Sequence, residues 1–176
     1  MVISFARSFW HAACSNECES NEPIPQVAQM SEQSKVLIVD DDDAVRLSYQ
    51  RSLQTAHYSV EAVANGEDAL AAVEQKRFDL VLLDLRMPGM DGMAVLQAIK
   101  CRSPHCEVVV ITGYPIVETA KEAVRLGAFD YLAKPVGPAE IINAACGALT
   151  QKQFALRQDA PDATVEPHAA ASGFAC

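Results

Sequence analysis

The chain has 176 residues, 50% apolar and 21% charged, enough for one sizeable domain core and too little for two. A formal net charge of -9 argues against the basic face that nucleic-acid contact normally uses. No apolar run reaches the roughly 18–20 residues of a bilayer span, so neither nucleic acid nor membrane is expected as a partner.

Residues 1–34 carry no sustained periodicity and are expected as a flexible N-terminal extension. His11 with Cys14-x-x-x-Cys18 could be forced into a metal site but fits one poorly, and Arg7 and His11 interrupt the apolar segment a signal peptide would need. Met30 leads within a few residues into the first strand, as a native start would, so the start is Met1 or Met30, and residues 1–29 are expected to be an upstream extension. The six cysteines (14, 18, 101, 106, 146 and 176) form no C-x-x-C pair, which suits a reduced, cytoplasmic protein.

From Lys35 the pattern becomes regular. Val36 to Val39 reads as a first strand. Ala44 to Ala56 reads as a helix with Val45, Tyr49 and Leu53 on one face and Asp43 as its N-cap. Tyr58 to Val63 is a second strand closed by Asn65-Gly66, and Glu67 to Gln75 a helix burying Leu70 and Val73. Leu80 to Leu83 is a third strand, apolar throughout as in a buried parallel sheet. It ends in Asp84 and a turn-forming segment with Pro88, Gly89, Asp91 and Gly92. Taken alone, Asp84 equally suits a strand end whose carboxylate bonds the following amides.

Gly92 to Lys100 supplies the next helix, and Glu107 to Ile111 a fourth strand. Pro115 is placed in the first turn of a helix that buries Val117, Ala120 and Val124 and stops near Gly127. Tyr131 to Ala133 is a short fifth strand, and Pro138 starts a last helix with Ile141, Ile142, Ala145 and Leu149. Five strands alternating with five helices imply right-handed crossovers and a doubly wound α/β sheet in a single domain, residues 35–152. Residues 153–176, rich in Ala, Pro and Asp, are expected as a disordered tail.

The strand ends carry the chemistry. Asp40-Asp41 follows the first strand, Asp84 the third, Thr112 the fourth and Lys134-Pro135 the fifth. A parallel sheet brings all of these to one edge, where open α/β sheets carry their ligands. Carboxylates so crowded repel unless a cation neutralises them. Oxygen-only ligands suit Mg²⁺, with Mn²⁺ as a substitute. A carboxylate, a divalent cation, a hydroxyl and a lysine together are what phosphoryl transfer to an aspartate requires.

The sequence resembles the response-regulator receiver domains of two-component signalling. The motifs that carry the resemblance are VLIVDDDDAVR, NGEDAL, FDLVLLDLRMPGMDG, VVVITGY and GAFDYLAKP, in the family's order. The resemblance implies a flavodoxin-like five-stranded sheet of order 2-1-3-4-5 with five helices. It makes Asp84 the phosphoacceptor, and Asp40, Asp41, Asp84 and the backbone carbonyl of Arg86 the metal ligands. Lys134 and Thr112 would contact the phosphoryl group, Tyr131 would be the aromatic switch, and the Lys134–Pro135 peptide would be cis. Arg86 and Tyr114 occupy the positions that tune phosphoryl lifetime, and both are bulky.

The implied function is a switch phosphorylated by a histidine kinase or histidine phosphotransfer protein and acting on an unknown downstream protein. It would be no enzyme beyond its own phosphorylation and dephosphorylation. The residues beyond Lys152 hold no helix-turn-helix pattern, no Walker-type loop and no basic face, so no output domain is expected in this chain. It would then be a stand-alone receiver or a piece of a larger regulator. The last helix, read as Ala139 to Leu149, lacks Lys and Arg. That leaves an apolar contact as the route to a weak or phosphorylation-dependent dimer. The alternatives are a receiver-like binding module that works without phosphorylation, and a Mg²⁺-dependent hydrolase, which Arg86 disfavours by standing where a second carboxylate is needed.

Overall fold

The structure, a computed structural model, describes residues 33–158. The expectations for His11, Cys14, Cys18, Met30 and Cys176 therefore lie outside the described residues. Five strands, β1 (Lys35–Val39), β2 (Ser59–Val63), β3 (Leu80–Asp84), β4 (Glu107–Thr112) and β5 (Asp130–Ala133), form one sheet. Its order is β2-β1-β3-β4-β5, with every pairing parallel. The helices are α1 (Asp43–Thr55), α2 (Gly66–Gln75), α3 (Gly92–Arg102), α4 (Val117–Arg125) and α5 (Pro138–Gln158).

Strand alternation divides the interior into two cores. Leu37, Val39, Val81, Leu83, Val108 and Val110 face α2, α3 and α4 through Ala69, Val73, Val95, Leu96, Ile99 and Ala123. Val36, Ile38, Leu80, Leu82, Val109 and Ile111 face α1 and α5 through Tyr49, Leu53, Ile141, Ala145 and Leu149. The central strands β1, β3 and β4 are buried on both faces, which is why they read as continuous apolar runs. The sequence reading of a doubly wound sheet is what the chain adopts.

Four local readings need correction. Asp42, not Asp43, caps α1: its side chain accepts from the amides of Ala44 (2.8 Å) and Val45 (3.3 Å). In a run of four aspartates the cap is the one whose backbone is extended, and only the fold reveals which that is. Pro115 precedes α4 instead of opening it, since Ile116 is the cap residue. Val117 and Val124 face solvent, and Ala123 is the one residue of α4 that is fully buried. The inward stripe is rotated by one residue from the one read in the sequence. Finally, α5 runs to Gln158, six residues past the expected end of the domain, and so includes Lys152 and Arg157. Lys152 bonds to Asp79 Oδ1 at 2.6 Å, tying these last turns to the start of β3.

Candidate functional site

The carboxyl ends of β1, β3, β4 and β5 meet at one edge of the sheet. Asp40, Asp84 and Thr112 are the only buried polar or charged residues among those described. Asp41 beside them is exposed. Carboxylate oxygens of Asp40, Asp41 and Asp84 lie within 4.8 Å of one another. Lys134 reaches in from the residue after β5, and its Nζ lies 2.6 Å from Asp40 Oδ2 and 2.6 Å from Asp84 Oδ2.

The surrounding backbone aims these groups. Asp40 Oδ1 accepts the Asp42 amide at 3.0 Å. Asp84 Oδ1 accepts the Arg86 amide at 2.9 Å, the strand-ending bond that an aspartate in this place makes. Thr112 Oγ1 accepts the Tyr114 amide at 3.2 Å. The Lys134–Pro135 peptide is cis, as the resemblance implies.

Two shifts describe the electrostatics. Burial raises the Asp40 carboxyl above its ordinary value, against the opposing pull of Lys134 and the Asp42 amide. Burial alone would lower Lys134, but its bonds to Asp40 and Asp84 prevail and raise it. One ammonium thus faces three carboxylates, and the cluster keeps an excess of negative charge. Its donor set of hard oxygens fits Mg²⁺ or Mn²⁺ and not a thiophilic metal.

A cavity of about 780 Å³ adjoins the cluster, with Asp41, Arg86, Thr112 and Tyr114 in its lining. The Arg86 guanidinium lies over the Tyr114 ring, 4.9 Å from its centroid. Tyr131 packs against the α4-side core, and its hydroxyl is buried without a hydrogen-bond partner. Every site residue read from the sequence therefore lies at this edge or against the core beside it. The residue that sequence reasoning left without a role is Arg46, which bonds to the Asp40 carbonyl. Its signal was an arginine one turn into the helix that follows the acidic run.

Fold and cluster together define a flavodoxin-like α/β protein with an acidic, lysine-bridged site at the carboxyl edge of its sheet. The response regulator receiver domain family matches residues 36–146, and the chain belongs to that family, a signalling module of two-component systems. The transcriptional regulatory protein ZraR of Salmonella typhimurium is 46% identical over 101 residues, 57% of this chain and 23% of that protein. The DNA-binding transcriptional regulator NtrC of the same organism is 43% identical over 100 residues, 57% of this chain and 21% of its own length. The chain therefore spans only a minor part of these curated relatives.

Among solved structures, a CheY-like receiver domain protein of Methanospirillum hungatei is 30% identical with a TM-score of 0.69. That match covers 70% of this chain and 99% of the other. NtrX of Brucella abortus is 31% identical with a TM-score of 0.68, over 72% of this chain and 30% of NtrX. No described helix is long and apolar enough to cross a membrane.

Proposed function

We propose that this chain is a phosphorylation switch in which Asp84 accepts a phosphoryl group from a phosphohistidine of a sensor kinase or phosphotransfer protein. The observation that supports it best is Lys134 Nζ held 2.6 Å from both Asp40 and Asp84, beside the buried Thr112. A carboxylate oxygen of Asp84 attacks phosphorus in line and forms the acyl phosphate. The donor's P–N bond breaks, and the leaving imidazole is reprotonated from solvent. Lys134, already at Asp84, pairs with the phosphoryl oxygens as charge arrives, and the Thr112 hydroxyl bonds to them after transfer.

Asp40, Asp41, Asp84 and the Arg86 carbonyl would hold Mg²⁺. When bound, it supplies the positive charge that lets an anionic nucleophile approach an anionic phosphoryl group. Burial of Asp40 and Asp84 keeps bulk water from competing for the same oxygens. Thr112 and Tyr131 would carry the change onward, through the ring packed against the α4-side core. The partners are a phosphodonor protein and a downstream protein target in the cytoplasm.

Intact mass after incubation with acetyl phosphate and Mg²⁺ tests the proposal. The parent should gain one phosphoryl group and Asp84→Asn none. An unmodified parent would instead make this a partner-binding module that keeps the fold without the chemistry.

A further inference from the structure

Asp40 is held from four directions. Its amide donates to Val63 O on β2 at 3.3 Å. Its Oδ1 accepts the Asp42 amide and its Oδ2 meets Lys134. The fourth contact is to its backbone carbonyl, which accepts from Arg46 Nη1 at 2.5 Å. The other arm of the same guanidinium pairs with Asp43. Arg46 is 16% exposed at its side chain, whereas Asp43 is 93% exposed. One planar fork on α1 therefore spans the acidic turn, from the residue before Asp41 to the residue two after it.

From this geometry we infer that Arg46 is a positioning residue for metal binding: it clamps the turn so that the Asp40 and Asp41 carboxylates are aimed before the ion arrives. The inference rests on the Mg²⁺ site proposed above. It opposes the simplest electrostatic expectation. A guanidinium beside three carboxylates is a fixed positive charge, and removing it would by charge alone strengthen cation binding. Pairing with the exposed Asp43 offsets part of that charge at Arg46. What is left is the fork's geometry, which a lysine with a single ammonium cannot reproduce on both partners. Groups that orient metal ligands act on affinity by tenfold or more. The sign of the change on removing Arg46 therefore separates positioning from charge.

The experiment is calorimetric titration of the full chain with Mg²⁺, for the parent, Arg46→Met and Arg46→Lys, with circular dichroism as the check of folding. Arg46→Met keeps the stem and removes both charge and donors, and its affinity should fall by about tenfold. Arg46→Lys should fall between it and the parent. Saturating Mg²⁺ should return phosphorylation of both variants by acetyl phosphate to the parental rate, because the loss is in ion capture. Equal or tighter binding by Arg46→Met overturns the inference. Should that variant fail to fold, Arg46→Lys decides: weaker binding upholds the clamp and parental affinity overturns it. A parent that binds no Mg²⁺ would remove the metal site itself, and the clamp with it.

Discussion

Asp40 and Lys134 bond to one another, and both pKa values move up, for opposite reasons. Asp40 is raised because burial outweighs its partners, Lys134 because its partners outweigh burial. Folded Asp40 thus holds its proton more tightly than the unfolded chain does. Its ionisation costs stability as pH rises from the ordinary 3.8 through the raised value, and that cost persists at neutral pH. Metal-free Asp40→Asn should therefore melt a few degrees above the parent at pH 7, with the gain vanishing below about pH 3.8. Melting curves across that range are the measurement. Lys134 behaves in the complementary way. Its contribution is complete below its ordinary 10.5 and lost only as pH climbs through the higher folded value.

Arg86 and Tyr114 supply a second prediction at this scale. Stacked on one another in the lining of the cavity beside the cluster, they would shield a phosphoryl group on Asp84 from water. Replacing both by small polar residues should speed loss of the phosphoryl group by about tenfold or more, followed by mass against time. That would correspond to roughly 1.4 kcal/mol or more off the hydrolytic barrier; an unchanged rate would end the shielding idea. The site itself was legible in the sequence because its residues stand at strand ends, which a parallel sheet must gather. Arg46 stood in view one turn into α1, but its role was not legible. Its partner is a backbone carbonyl, and no pattern of side chains records that a main-chain oxygen is waiting.

At the scale of elements, strands were read more accurately than helix faces. A strand buried on both sides shows as an unbroken apolar run, and Leu80 to Leu83 could face nothing but core. α4 has two partial stripes, and the one that faces the core is Ala123's, while Val117 and Val124 face solvent. The end of α5 was misplaced for a related reason. Residues from Gln153 onward look like a tail, yet Gln153, Ala155, Leu156 and Arg157 are good helix formers and Lys152, one residue earlier, has Asp79 to meet.

The contact between β5 and the α4-side core carries its own prediction. The buried hydroxyl of Tyr131 makes no bond in this state, an arrangement that costs about 1–3 kcal/mol. Tyr131→Phe keeps the ring and removes the orphan. It should stabilise the unphosphorylated protein by about 1 kcal/mol in denaturant titration, with the slope unchanged. A loss of stability would mean that the hydroxyl has a partner after all.

For the whole molecule, Mg²⁺ captured by the excess of carboxylate over ammonium at one edge would make folding and ion binding a linked equilibrium. Mg²⁺ at a hundredfold excess over its dissociation constant should add about 2.7 kcal/mol to unfolding. Calcium-free melts with and without Mg²⁺ read this directly, and Asp84→Asn should lose much of the gain. Both cores lie on the same sheet, so the gain should appear as a single shifted transition.

The course of α5 bears on how a change at the site would reach Arg157. The helix begins four residues after Lys134 and ends at Gln158, having passed Lys152, which is bonded at the opposite edge of the sheet. With 21 residues it is about 31 Å long. Ions in the cell blunt a charge within about 8 Å, so the electric field of a phosphoaspartate does not reach Arg157. A rod of that length, however, tilted by about 5°, displaces its far end by about 2.7 Å, simple trigonometry on the helical rise. A change at the site that reached Arg157 through α5 would therefore arrive as a displacement of the helix and not as a field, against the hold of the Lys152–Asp79 bond.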